Sequence, residues 1–442
     1  MARRRKRLSR EPVEAVIDSL SHEGRGVANC DGKVIFIDGA LPGERVMYQL
    51  TNRRRKFDEG KVVEVLEASI DRIKAKCEHY GLCGGCSLQH LNSKNQIKHK
   101  QSVLLEQFEH IGAVQPEEVL PPLVSPDWGY RRKARLGVKY VPKKGGVLVG
   151  FREKASSYIA DLRHCEILDT AVGHRLMELR ELIGELSVKD RLPQIEVAIG
   201  DQEKGLIFRH LEPLTDEDLK TLKTFGSEYK FVIYLQPKGP DTVHQIYPET
   251  NVELSYQAGE DEPVLQFLPS DFIQVNASIN KDMIARVLDF MQLNKNDRVL
   301  DLFCGLGNFS LSIAKRAAYV LGVEGDADLV KRAQENAKRN QLENAEFVCT
   351  DLTEDDQLQT IEAGKFDKVL LDPARSGALE IIEKMSFAGV HQVIYVSCNP
   401  ATLARDSGIL VKDKGYQMIK AGIMDMFPHT THVESIAVFE RA

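Results

Sequence analysis

Between residues 13 and 68 of this chain, apolar and polar positions alternate over short stretches broken by glycine. Residues 13–17, 33–37, 45–50 and 60–65 read as strands, because successive side chains of an extended chain point to opposite faces. Gly24, Gly26, Gly32, Gly39 and the Leu41-Pro42-Gly43 turn punctuate them, and about five short strands in this space fit a small closed barrel. From about 70 to 268 the pattern is mixed. A helix is expected over 93–111, ending at Gly112, and another over 170–186. Strand-like stretches lie at 134–140, 146–151, 195–199, 205–210 and 231–236.

Beyond Phe267 the pattern becomes regular. Ile279, Met283, Ile284, Val287, Leu288 and Met291 recur at helical spacing. Short apolar runs at 298–303, 319–323, 345–349, 368–371 and 392–396 alternate with helices starting at Ser310 and Asp328. Such alternation predicts an α/β fold, a mostly parallel Rossmann-like sheet with helices on both faces. The expected division is 1–69, 70–268 and 269–442. The first segment, with Gly24-Arg25-Gly26-Val27-Ala28 and the run from Val34 through Pro42-Gly43-Glu44, resembles the TRAM domain, an OB-like RNA-binding barrel.

Charge sharpens this picture. The net charge is −6, but 19 basic against 25 acidic residues from Asp271 onward account for it, with 40 of each before that point. In the earlier part the cations come in bursts at Arg3–Arg7, Arg53–Lys56, and Arg131, Arg132, Lys133 and Arg135. One burst alone is usually solvated surface, whereas three point to a nucleic-acid backbone. Arg131, Arg132 and Lys133 are the expected phosphate contacts. No apolar run reaches the ~18–20 residues of a membrane span, and none follows the basic N-terminus, so a cytoplasmic monomer is expected.

Eight cysteines without an export signal favour metal ligation or catalysis over disulfides. Cys77, Cys83 and Cys86 have metal-ligand spacing, with Cys165 as a fourth thiolate and His79 as an alternative ligand. Spacing leaves zinc and an iron–sulfur cluster open.

Asp301 through Ser310 joins a strand to a helix through Gly305 and Gly307, where a backbone can approach a ligand. Glu324, Asp351 and Asp372 close the next three strands, at the crevice where open α/β sheets bind ligands. Each taken alone could be a helix cap. Together they repel a pyrophosphate and suit a cation, which favours S-adenosylmethionine over a dinucleotide. Cys398 ends a strand beside Asn399-Pro400, unlike Cys30, Cys304 and Cys349, which read as small packing residues. At a strand-end turn, partial positive charge is expected to lower its thiol pKa.

The motifs Leu371-Asp372-Pro373-Ala374-Arg375-Ser376-Gly377, Val396-Ser397-Cys398-Asn399-Pro400, Phe272-Ile273-Gln274-Val275-Asn276 and His432-Val433-Glu434-Ser435 resemble the RNA uridine-C5 methyltransferase family over nearly the whole chain. The resemblance implies Cys398 as nucleophile at uracil C6 and Glu434 as the base for the C5 proton. It also implies that Gln274, Phe303, Asn308, Glu324, Asp351 and Asp372 hold the methyl donor, and that the four cysteines carry a [4Fe-4S] cluster. Barrel and cluster together resemble the branch acting on 23S ribosomal RNA. Alternatives are another rRNA or tRNA uridine, a cytosine-C5 enzyme, whose motif would carry Pro-Cys after the fourth strand, and an inert RNA-binding protein.

Overall fold

The computed structural model describes residues 11–351, 361 and 365–441; the expected basic contacts at Arg3–Arg7 fall outside them. The chain forms two compact units. The first comprises the chain up to residue 103 with 153–156 and 428–431. Its strands are Val13–Val16 (β1), Ser19–Leu20 (β2), Gly26–Cys30 (β3), Lys33–Asp38 (β4), Arg45–Arg53 (β5) and Phe57–Glu67 (β6), in the order β1-β5-β6-β4-β3-β2. Ala15, Ile17, Ile35, Ile37, Val46 and Tyr48 alternate inward to form its core, as the barrel reading requires. Gly60 is needed where β6 crosses Tyr48, since a Cβ there would lie 2.7 Å from the ring. Arg53 to Lys56 stand exposed on the β5–β6 connection.

In the second unit the strands Glu118–Val119 (β7), Lys133–Val141 (β8), Gly146–Gly150 (β9), Gln194–Ile199 (β10), Lys204–Arg209 (β11), Val232–Gln236 (β12) and His244–Tyr247 (β13) appear first. A hairpin of Leu254–Gln257 (β14) and Val264–Phe267 (β15) follows. The rest are Arg298–Leu302 (β16), Tyr319–Glu324 (β17), Ala345–Cys349 (β18), Lys368–Leu371 (β19), Gln392–Ser397 (β20), Gln417–Met424 (β21) and Glu434–Glu440 (β22). One sheet runs β13-β12-β11-β10-β8-β9, and the other runs β18-β17-β16-β19-β20-β22-β21-β7. In the larger sheet β18 to β20 are parallel, and β22 inserts antiparallel against β20. β16 is flanked on both sides and covered on both faces, which is why Val299, Leu300 and Leu302 are apolar on both faces, with Asp301 the exception.

The expected helix over 170–186 is two helices, Thr170–Gly173 and Leu176–Glu185. At Gly173 the Cys165 segment presses so close that a Cβ would lie 2.2 Å from the Cys165 carbonyl oxygen, and the helix breaks there. The helix expected over 93–111 is α-helical only over Ser93–Gln107 and closes in a wider turn at Phe108–Gly112. Among the described residues no helix is long and apolar enough to cross a membrane.

Candidate active site

The strand ends of the larger sheet build the site. At the end of β16 the chain turns sharply: Phe303 takes a left-handed φ of 67°, and Gly305 and Gly307 follow at 55° and 95°. Non-glycine residues at positive φ carry strain that the surroundings must hold. Here Phe303 N and Cys304 N both donate to the Val323 carbonyl, at 2.8 and 3.1 Å. Glu324, ending β17, accepts from Gly305 N at 3.0 Å, Gly325 N at 2.8 Å and Asp326 N at 3.2 Å. Its carboxylate is thereby fixed at the rim of a cavity of about 790 Å³. Phe303, Glu324, Asp351, Gly377 and Arg405 are among the residues lining it.

Gln274, Asn308 and Asp372 do not line that cavity. Asn308 is held by its neighbours: its amide oxygen accepts from Tyr256 Oη at 2.8 Å and Asn280 Nδ2 at 3.1 Å, while its Nδ2 donates to Asn280 Oδ1 at 3.0 Å. The Gln274 carbonyl accepts from Arg132 Nε at 2.9 Å.

Asp301, a polar residue inside the apolar β16 run, was not singled out by sequence as a site residue. It is fully buried, with Oδ2 accepting from Ser310 Oγ and Oδ1 without a hydrogen-bond partner. Burial, together with the Glu324 charge, pushes its carboxyl up to about 7. Asp372, at the end of β19, is likewise pushed up to about 7 by burial and by Asp301. Like charges gathered at neighbouring strand ends suit a positively charged ligand.

Sequence pattern alone would leave Glu434 on the surface. The structure buries it at 3% exposure as the first residue of β22. The antiparallel register between β20 and β22 ends with Ser397 opposite Ser435, so the next residues, Cys398 and Glu434, meet across the sheet end. Ser435 Oγ donates to the Ser397 carbonyl at 3.1 Å and locks that register. Burial and the nearby Asp372 hold the Glu434 carboxyl well above the usual range, while Arg375 opposes them. The turn after Cys398 is fixed by Asn399, which caps the helix Pro400–Lys412 by accepting from Ala401 N and also donates to the Arg375 carbonyl at 2.9 Å.

The expectation of a lowered thiol pKa at Cys398 is corrected. Burial raises it first, and the charges of Glu434 and Asp372 raise it further; Arg375 and a backbone N–H pull the other way and lose. The helix N-terminus nearby is too weak a field to outweigh two carboxylates in a half-buried site.

Two of the three expected phosphate contacts, Arg132 and Lys133, are corrected as well. Arg132 is 5% exposed, lies 4.6 Å over the Tyr256 ring and binds the Gln274 carbonyl, out of reach of a phosphate. The Lys133 ammonium turns inward to the Pro269 carbonyl, and burial brings its pKa down to about 8. Arg131 Nε is occupied at 3.2 Å by the Lys133 carbonyl.

In the first unit, Cys77, Cys83 and Cys86 share one loop. It is folded by Tyr80 N to the Cys77 carbonyl at 3.1 Å and Cys83 N to the His79 carbonyl at 2.9 Å, and Gly85 N donates to Cys83 Sγ at 3.4 Å. Cys165 is buried in the second unit, its N–H donating to the Gly173 carbonyl at 2.8 Å. All four are unbridged thiols.

Known proteins agree with this architecture. The tRNA (uracil-5-)-methyltransferase family matches residues 93–442, and the TRAM domain matches 6–63. The 23S rRNA (uracil(1939)-C(5))-methyltransferase RlmD of Alkalilimnicola ehrlichii is 53% identical over 441 residues, covering 100% of this chain and 99% of the relative. The protein of the same name from Nitrosococcus oceani is 54% identical, covering 99% and 98%. The crystal structure of the Pyrococcus abyssi tRNA (uracil-54, C5)-methyltransferase with S-adenosyl-L-homocysteine shares the fold with a TM-score of 0.74, at 23% identity over 96% of this chain and 99% of that one. The chain therefore belongs to the uracil-5-methyltransferase family, with a TRAM domain at its N-terminus.

Proposed function

We propose that this protein transfers a methyl group from S-adenosylmethionine to C5 of a uridine in 23S ribosomal RNA, at the position numbered 1939 in its relatives. Identity above 50% along whole chains supports the substrate. The pairing of Cys398 with a buried Glu434 at one strand end carries the chemical reading.

The carboxylates around the cavity fit a donor that is cationic at both sulfur and amine. Glu324, Asp351 and Phe303 would hold it from the cavity wall, and the family resemblance adds Gln274, Asn308 and Asp372. S-adenosylmethionine supplies an electrophilic methyl group on a sulfonium. Cys398 loses its proton to water and its sulfur adds to C6, sending the C5–C6 electron pair into an enolate whose C5 attacks the donated methyl. Once C5 carries the methyl, Glu434 accepts the C5 proton, the double bond re-forms and the sulfur leaves. A carboxyl raised by burial is a stronger base than one in water, and such base help contributes about 10²–10⁴-fold. Arg375 opposes burial at both groups without overcoming it.

We further read Cys77, Cys83 and Cys86 as ligands of a [4Fe-4S] cluster, with zinc as the alternative. Three unbridged thiols on tight turns, one receiving a backbone N–H, suit such a centre. It would hold the loop in place, and no step of methyl transfer uses it. Iron and sulfide analysis of purified protein separates the two metals.

The test of function is methyl transfer to 23S rRNA lacking the modification, with the product nucleotide mapped by mass spectrometry. One 5-methyluridine at the position equivalent to 1939 is expected. A methylated cytidine, or methylation of transfer RNA alone, would overturn the assignment.

A further inference from the structure

The inward turn of Arg132 and Lys133 leaves open which cations meet the RNA. The register of the smaller sheet answers through its pleat. Lys133 stands opposite Ala198, Arg135 opposite Glu196, Glu196 opposite Ile207 and Gln194 opposite Arg209. Ile207 and Arg209 stand in turn beside Tyr234 and Gln236. One face therefore carries Ala198, Ile207 and Tyr234 at one end, and Arg135, Gln194, Glu196, Arg209 and Gln236 at the other. The apolar end is covered: Ala198, Ile207 and Tyr234 pack in one cluster with Leu254, Tyr256, Leu265 and Phe267 of the β14–β15 hairpin. Beyond the hairpin the face turns polar and holds a cleft of about 190 Å³, whose walls include Lys238, Pro240, Val243 and Ser270.

Three cations ring this cleft, with one carboxylate among them. Glu196 Oε1 already accepts from Arg135 Nε at 3.1 Å, Arg135 Nη2 at 3.0 Å and Gln194 Nε2 at 2.8 Å. This bracing holds the Arg135 side chain, which is still 70% exposed. Arg209 and Lys238 are exposed too. The floor offers the Ile207 side chain and the amides of Gln194 and Gln236, which suit a base or sugar beside a phosphate. The cleft wall also stands close in the chain to Gln274. Ser270 lies four residues before Gln274, a reach of at most about 14 Å of extended chain.

We infer that this uncovered end of the sheet is a phosphate-binding track for the RNA strand flanking the target uridine, formed by Arg135, Arg209 and Lys238. The inference rests on the RNA-methyltransferase reading. RNA is favoured over an acidic protein segment because the cations are spaced around a cleft with hydrogen-bonding amides in its floor.

The experiment compares wild type, the triple variant R135Q/R209Q/K238Q and the double variant R209Q/K238Q. A control, K143Q/K144Q, neutralises two exposed lysines at the β8–β9 turn. Each is titrated with an rRNA fragment across a salt series, with circular dichroism and melting as checks of folding. The triple variant should bind about tenfold more weakly at 0.1 M salt, and its slope of log K against log salt should be shallower by about 2, at roughly 0.7 per lost contact. The double variant, which spares the Glu196 bracing, should lose about two thirds of that slope. In methyl transfer the loss should appear as a raised KM for RNA. Unchanged affinity and slope in both variants, or an equal change in the control, would overturn the track. Failure of wild type to methylate the RNA would instead overturn the function on which it rests.

Discussion

The catalytic crevice has two ends that treat their carboxylates differently. At the donor end Glu324 accepts from three backbone N–H groups, about three of its four acceptor sites, in a turn whose strain is stored at Phe303. At the base end Glu434 is more deeply buried, and its carboxyl is raised by burial and by Asp372. The first arrangement suits a carboxylate that binds and never moves a proton. The second suits one that must take a proton and release it. The difference teaches that the division of labour lies in desolvation and donor count, since both residues are glutamates at strand ends.

Substitutions separate the two ends. Cys398→Ala should have the largest effect, cutting formation of 5-methyluridine by roughly 10⁴-fold or more, as loss of a covalent nucleophile does. Calorimetry should find donor affinity within twofold of wild type; a parallel collapse would mean that the ends are not separate. Glu434→Gln should lower turnover by about 10²–10⁴-fold. Because it blocks the step after methylation, a protein–RNA adduct should accumulate with ordinary uridine and be visible on a denaturing gel. Absence of that adduct would place Glu434 earlier in the reaction. Glu324→Gln should weaken donor binding by about 10–100-fold, the range for hydrogen bonds to charged groups, and leave turnover at saturating donor within about threefold.

The smallest effect concerns stability. Asp301 and Asp372 keep their protons in the folded state up to about pH 7, whereas an unfolded aspartate releases its own near 3.9. Between those values the folded state binds more protons than the unfolded one, so stability falls as pH rises. Melting of the ligand-free protein should therefore drop from pH 5 to pH 8. Asp301→Asn, which cannot ionise, should show a flatter dependence over that window. An unchanged slope would remove Asp301 from this account.

Much of the fold was legible because its strands are buried on both faces or alternate cleanly. The runs that became β16 to β20 carried apolar residues at every position, or nearly so, and their ends were placed to within one residue. The hairpin β14–β15 and the strand β21 escaped, since their signals are short or interrupted by Lys420 and Gly422. Site residues at strand ends could be found because a polar residue closing an apolar run stands out. Asp301 hid inside such a run. Glu434 required knowledge of which strand lies beside β20, which no local pattern contains. Arg132 and Lys133 misled for a related reason: they lead into β8 beside the Gln274–Asn276 segment, so their direction is set by long-range packing. The wrong sign at Cys398 has the same origin, because the nearest charges come from β19 and β22.

The most direct test of the central claim is intact-mass spectrometry of the protein with S-adenosylmethionine and an rRNA fragment carrying 5-fluorouridine at the target. Fluorine cannot leave C5 as a proton, so a thiolate mechanism must halt with sulfur bound to C6. The account predicts a covalent protein–RNA adduct bearing one added methyl, mapped to Cys398 by digestion and missing in Cys398→Ala. Methylated RNA without an adduct, or an adduct on another residue, would contradict it.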